Sequence, residues 1–392
     1  MIAEYYIVWR IKPQKIMVKR TIQENIEKFL FKGKVIMLTG ARQVGKTTLV
    51  KAIGKKFENE TLYLNCDEPD IRELLTDATS TELKRLAGKN KLIIIDEAQR
   101  IKNIGITLKL FVDQLPGIQA IATGSSALEI SNQLNEPLTG RKYEFNLFPF
   151  SLAELSEEYG WLEVNRMLEE RIIFGMYPEV ILNPADKEIN ITNLTNSYLF
   201  KDVFNFKTIR KPDVLEKLVT ALAFQIGNQV SYSELAIKLG VDNETIANYI
   251  DLLEKSYVVY RLPSFSRNLR TELTKSKKIY FYDTGIRNAV ISNFKPLNLR
   301  EDAGALWENF LVSERIKYNV NLNSNVKPYF WRTLQQQEID YIEESNEELR
   351  AFEIKYNPKA KKKYPATFLN SYPNSITETI TMENYHEFVG IH

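Results

Sequence analysis

The sequence holds one cysteine and two histidines in 392 residues. Cys66 has no partner for an intramolecular disulfide, and a Cys-based zinc site cannot be assembled. His386 and His392 both stand near the C-terminal end. A Ser-His-Asp triad and a His-ligated zinc site are therefore not expected. No apolar run reaches the length of a membrane span. Residues 1–13 are broken by Glu4, Arg10 and Lys12, unlike the long apolar stretch of a signal peptide. Charge of one sign is also missing: 52 Lys and Arg face 50 Asp and Glu, a net +2. The chain is not a polycation, so any nucleic-acid surface must be a local patch. These absences lead us to expect a cytoplasmic protein without membrane contact.

What is present is ample material for several cores, with 44% hydrophobic and 26% charged residues. At about 150 residues per domain, two or three domains are expected. The chain is organised around Gly40-Ala41-Arg42-Gln43-Val44-Gly45-Lys46-Thr47-Thr48, which reads G-x-x-x-x-G-K-T. An apolar, β-prone run precedes it and a helical run follows. Strand, glycine-rich turn and helix are the context in which this motif cradles phosphates. The glycines let successive N–H groups point inward, and the helix N-terminus adds partial positive charge. Lys46 would reach the β- and γ-phosphates of ATP, and the Thr47 hydroxyl would hold Mg²⁺.

Apolar bursts at 35–39, 61–66, 91–96, 118–123 and 143–148 alternate with helical patterns at 71–87 and 104–114. This alternation predicts a parallel sheet covered on both faces. Leu92-Ile93-Ile94-Ile95-Asp96-Glu97 suits a strand buried on both sides. Its carboxylates emerge at the C-terminal end, where open α/β sheets bind ligands. Asp96 would serve the Mg²⁺ shell and Glu97 would orient the attacking water. Ser125, just past a third apolar strand, would touch the γ-phosphate or cap a turn. Arg141 would stabilise transition-state charge, in its own site or a neighbour's, or else be a solvated loop arginine.

Taken together, Gly40–Thr48, Leu92–Gln99, Thr123–Ala127, Gly140-Arg141 and Leu147–Phe150 resemble the AAA superfamily. More narrowly, the resemblance is to a bacterial and archaeal branch with a nuclease-like C-terminal domain. It implies an ATPase, Ser125 as a sensor, Arg141 as a trans-acting finger, and ATP bound between subunits of a homo-oligomer.

Residues 150–210 are helix-rich and contain the turn Gly175-Met176-Tyr177-Pro178-Glu179. Farther on, helical patterns at 214–227, 231–241 and 242–255 precede a β-prone stretch at 257–262, as in a winged helix. The third helix carries Asp242, Glu244, Asp251 and Glu254 against Lys255, a poor match to DNA. Arg261, Arg267, Arg270, Lys275, Lys277 and Lys278 follow, so any DNA contact is expected there. The competing reading is a protein-binding or interdomain module.

In the last third, Glu353-Ile354-Lys355 places Glu353 and Lys355 on one strand face, with Asp340 on the preceding strand. Asp340, Glu353-Ile354-Lys355 and Glu308 resemble the PD-(D/E)xK nuclease superfamily, although no proline precedes Asp340. The resemblance implies Mg²⁺ held by Asp340 and Glu353 with help from Glu308, and Lys355 activating water. Lys359, Lys361, Lys362 and Lys363 would guide a phosphate backbone. A solvated sheet face, or a fold that has lost cleavage, is the alternative. The expected fold class is α/β: an AAA-type core with a parallel sheet, then a winged helix and a restriction-endonuclease-like domain. The expected boundaries are 1–150 for the core, 151–210 for a helical lid, 211–265 for the winged helix and 266–392 for the nuclease-like domain. The expected client is DNA, with a protein partner as the alternative.

Overall fold

The computed structural model describes residues 18–124, 137–197, 203, 209, 211–266, 277–333, 335–346, 348–359 and 364–391. Five parallel strands open the fold: β1 (Val35–Thr39), β2 (Thr61–Asn65), β3 (Leu92–Asp96), β4 (Gln119–Gly124) and β5 (Lys142–Asn146). Their order in the sheet is β2-β3-β4-β1-β5. β1, β3 and β4 are buried at every position. Such strands need apolar residues on both faces, which is why they read as unbroken apolar runs. One departure lies at 71–87, expected as a single helix. The chain instead forms Pro69–Leu75 and Ser80–Ala87, because Thr79 and Glu82 close a capping box that starts the second helix.

Five short helices follow: Leu152–Tyr159, Trp161–Arg166, Leu168–Phe174, Pro178–Leu182 and Lys187–Thr195. The turn at Gly175 depends on glycine. Its φ is 81°, and a Cβ there would lie 2.1 Å from Asp283 Oδ1. Asp283 in turn accepts from the Met176 N–H at 2.7 Å and caps the helix Thr284–Val290 through the Ile286 N–H. The turn is therefore a docking point between distant parts of the chain.

Helix Pro212–Phe224, β6 (Gln229–Val230), helices Tyr232–Leu239 and Asn243–Lys255, β7 (Val259–Leu262) and β8 (Lys277–Phe281) form the next unit. Its antiparallel sheet runs β6-β8-β7. This sheet crosses the boundary expected at 265, since β8 closes it from the far side. Backbone pairing decides the matter, and pairing partners are set by tertiary packing rather than local pattern.

Helix Ala303–Asn321, β9 (Lys327–Arg332), β10 (Glu338–Ser345), β11 (Glu348–Ile354), helix Ala366–Ser371 and β12 (Ile376–Ile380) complete the fold. The mixed sheet runs β12-β11-β10-β9, with β11 and β12 parallel and the other pairs antiparallel. One apolar core runs from β1 through the short helices and the middle unit to Trp307 and Phe310 on the long helix. Truncating the fully buried Trp307 to Ala would cost about 3–5 kcal/mol. Separate clusters cover the second face of the parallel sheet and the second face of the mixed sheet. No helix among the described residues is long and apolar enough to cross a membrane.

Candidate functional site

The loop between β1 and helix Lys46–Lys55 turns through two left-handed residues, Gln43 at φ 59° and Gly45 at φ 99°. Gly40 is obligatory, because a Cβ would lie 2.1 Å from the Leu147 carbonyl oxygen. Lys46 is 5% exposed, and its ammonium donates to the carbonyls of Gly40 at 3.0 Å and Ala41 at 2.7 Å. Burial pushes its pKa down to about 8, with Glu97 and Asp96 pulling the other way. Arg42, Gln43, Thr47 and Thr48 line a cleft of about 950 Å³ with Lys46. Glu97 and Arg100 line it as well, together with Glu179, Asn190 and Asn193 from the short helices.

Asp96 ends β3 and is the anchor of the site. Its Oδ2 accepts from the Thr47 hydroxyl at 2.7 Å and from the Tyr63 hydroxyl at 2.5 Å. Its Oδ1 accepts from the Thr123 hydroxyl. Thr123 also accepts from the Glu97 N–H at 3.1 Å, so one threonine on β4 fixes both acidic residues. Glu97 follows in a left-handed conformation, φ 56°, and Gln99 donates to its carboxylate.

A second polar centre lies on the mixed sheet. Tyr341 on β10 faces Phe352 on β11, so Asp340 and Glu353, one step further along, share a face. The Lys355 ammonium joins them, 3.0 Å from Asp340 Oδ2 and 2.9 Å from Glu353 Oε2. The Ile354 N–H donates to Asp340 Oδ2 at 2.9 Å. Glu308, on the long helix, is tied instead to Lys278 at 3.0 Å and to the Tyr280 hydroxyl at 2.6 Å. Lys278 also meets Glu338 Oε1 at 2.5 Å. Burial pushes the Glu308 carboxyl up to about 7 against the pull of Lys278, and Asp340 adds to the rise. Burial also works to raise Asp340, but Lys278 and Lys355 outweigh it and hold the carboxyl below its ordinary value. Both ammoniums are held above the ordinary lysine value by these carboxylates, despite burial. Among the described residues no group of three or more His, Cys, Asp or Glu side chains is arranged to hold a metal ion. Lysines stand between the carboxylates: Lys355 between Asp340 and Glu353, and Lys278 between Glu308 and Glu338.

Residues 32–156 match the family model of an AAA domain. The stretch that holds the phosphate loop is therefore similar to AAA domains. Residues 165–297 and 303–387 match two domains of unknown function, DUF8612 and DUF4143. An uncharacterized protein of Mycobacterium tuberculosis is 27% identical over 348 residues, 86% of this chain and 74% of its own. Another, of Methanocaldococcus jannaschii, is 25% identical over 346 residues, 82% of this chain and 75% of its own. The solved Walker-type ATPase of Pyrococcus abyssi shares the fold with a TM-score of 0.51 and 16% identity, over 70% of this chain and 96% of that one.

The remaining expected site residues fall as follows. Ser125 lies outside the described residues, as do Arg267, Arg270, Lys275 and Lys361–Lys363. Arg141 stands just before β5, and its carbonyl accepts from the N–H of Val35 at the start of β1. That is the N-terminal edge of the parallel sheet, opposite the phosphate loop. A role for Arg141 in its own site is therefore corrected; its guanidinium pairs with Asp113 at 2.7 Å. The DNA contact expected of Lys278 is corrected by its burial. Arg261 is paired with Glu254 and Asp251. Sequence reasoning missed Tyr63 and Arg20 around the phosphate loop, and gave Thr123 no role of its own. Tyr63, midway along β2, and Thr123, next to last in β4, stand on the strands flanking β3, toward the sheet edge where ligand-facing residues concentrate. That position was the available signal.

Proposed function

We propose that this chain is a Mg²⁺-dependent ATPase that hydrolyses ATP by attack of water on the γ-phosphate. The contact of Thr47 with Asp96 beside a buried, carbonyl-bonded Lys46 carries this reading. The loop N–H groups of Gly40–Thr48 bind the phosphates, and Lys46 spans the β- and γ-phosphates. Hydroxyl and carboxylate oxygens 2.7 Å apart are hard donors that fit Mg²⁺, with Thr47 and Asp96 as the residues that would hold it. Bound there, Mg²⁺ would neutralise charge on the β- and γ-phosphate oxygens. Glu97 orients the water and draws its proton. Ser125 senses the γ-phosphate, and Arg141 acts on the site of a neighbouring copy in a homo-oligomer. ATP turnover then repositions the winged-helix unit and the C-terminal domain on DNA. Helix, strand, two helices and a strand pair at 212–281 support the winged-helix assignment. The convergence of Asp340, Glu353 and Lys355 supports a nuclease-like C-terminal domain.

A second reading has its own observation. Lys278 fills the space between Glu308 and Glu338 next to Asp340, which favours a centre that no longer cleaves. The chain is then a nucleotide-gated interaction switch with a protein client. Turnover of ATP by wild type, Lys46→Ala and Glu97→Gln, with and without duplex or single-stranded DNA, tests both. We expect Lys46→Ala not to bind ATP and Glu97→Gln to bind without turnover. Tight binding by Lys46→Ala sinks the ATPase reading. Stimulation by DNA supports the first client, and Mg²⁺-dependent cleavage lost in Glu353→Ala removes the second reading.

A further inference from the structure

Behind the phosphate loop lies a buried arginine from outside the motif. Arg20, 7% exposed, precedes the helix Ile22–Lys28. Its guanidinium donates to the Val44 carbonyl at 2.8 Å, the Phe148 carbonyl at 2.7 Å and Glu154 Oε1 at 3.0 Å. It also lies 4.9 Å from the centre of the Phe150 ring. All of its arms are thus engaged, in the fixed fork that lysine cannot reproduce.

The place it holds matters. Val44 sits between the two left-handed residues of the loop, Gln43 and Gly45. Val44 is wholly buried against Arg20, while Gln43, Gly45, Lys46 and Thr47 on either side of it line the cleft. A nest of N–H groups binds anions only while its alternating backbone shape is kept. Glu154, the counterion of Arg20, is itself fixed by the N–H groups of Thr21 and Ser151, each at 3.0 Å. The same segment is held from the other side. Glu314 on the long C-terminal helix accepts from the Leu152 N–H at 2.6 Å, and Lys317 donates to the Phe150 carbonyl at 3.0 Å.

We propose that Arg20 is a positioning residue of the nucleotide site, keeping the phosphate loop in its anion-accepting shape by docking the Val44 carbonyl onto segment 148–154. This rests on the reading of the loop as an ATP site. The test uses the full chain, wild type, Arg20→Lys and Glu154→Gln. Three quantities are read: Kd for a non-hydrolysable ATP analogue with Mg²⁺, the split between KM and kcat, and Tm. For Arg20→Lys we expect Kd and KM to rise about tenfold, because one ammonium cannot span three acceptors. At saturating ATP, kcat stays within about threefold of wild type, since the loss is of uniform binding. Glu154→Gln shifts Kd the same way by less, as its amide oxygen still accepts from N–H groups. A merely structural Arg20 would lower Tm and leave Kd and KM at wild-type values in both variants, and that result overturns the inference. Failure of wild type to bind the analogue overturns the ATP reading and this inference with it, so the two failures are told apart by the wild-type control.

Discussion

Lys46 and Lys278 are both buried, at 5% and 0% exposure, and their surroundings are opposite. Lys46 rests on two neutral carbonyls, with Asp96 and Glu97 near enough to be felt. Lys278 is clamped by Glu308 and Glu338. The first ammonium is held below its ordinary pKa by desolvation; the second is held above it by carboxylates. A buried cation on carbonyls keeps its attraction for an incoming anion. A buried cation between carboxylates has already met its charge. The cleft beside Lys46 is therefore the one suited to an anion, as proposed, whereas Lys278 ties β8 to the long helix through Glu308 and to the mixed sheet through Glu338.

The comparison breaks most visibly in stability. Lys278→Ala leaves buried carboxylates without their cation and should cost about 3–5 kcal/mol in chemical denaturation. Lys46→Ala should cost no more than about 1 kcal/mol, because its ammonium has no such clamp to lose. Equal costs would mean that both lysines serve packing alone. Ligand effects should reverse that ranking. An ATP analogue with Mg²⁺ at a hundredfold excess over Kd should stabilise wild type by about 2.7 kcal/mol. Lys46→Ala should show none of this, while Lys278→Ala keeps it, provided enough folded protein remains.

Much of this contrast was half-visible in the chain. The parallel sheet could be read because strands buried on both faces must be apolar without interruption, as in Leu92–Asp96. The phosphate loop could be read because its glycines, lysine and threonine are consecutive. Asp340, Glu353 and Lys355 could be brought together on paper because strand alternation fixes faces. Lys278 could not, since a lysine among basic neighbours reads as solvated. Its true signal was the period of two shared with Tyr280, both of which meet Glu308. Arg20 left no local signal, because Val44, Phe148 and Glu154 lie far along the chain. The pairing of β8 with β6 and β7, across position 265, left no local signal for the same reason.

pH should separate the two lysines by sign. Lys46 has a folded pKa of about 8 against 10.5 for the free side chain. Between these values the unfolded chain keeps a proton that the native chain has released, so this residue makes stability rise with pH. For Lys278 the folded value lies above 10.5, so its stabilisation is fully present below 10.5 and fades at higher pH. Affinity for ATP runs with the charged Lys46. It should fall above about pH 8 by up to tenfold per unit, equivalent to about 1.4 kcal/mol. Affinity flat from pH 7 to 9.5 would show that the ammonium is not what meets the phosphates.

The finest contrast is between two tyrosines. Tyr63 donates to Asp96, which also has Thr47 and Thr123 as donors and stands beside the cleft. Tyr280 donates to Glu308 in a fully buried setting, with Lys278 as the other partner. Replacing each by Phe removes one hydroxyl and keeps the ring. Tyr280→Phe should cost about 1–2 kcal/mol, since a hydrogen bond to a buried charge is lost. Tyr63→Phe should cost less than about 1 kcal/mol, because Asp96 keeps two donors and water reaches the cleft. It should also alter the Mg²⁺ concentration needed for half-maximal binding of the ATP analogue, as one competitor for Asp96 Oδ2 is gone. Tyr280→Phe should leave that concentration unchanged. A Mg²⁺ dependence that moves with Tyr280 and not with Tyr63 would place the metal at the C-terminal centre and invert the contrast between the two buried lysines.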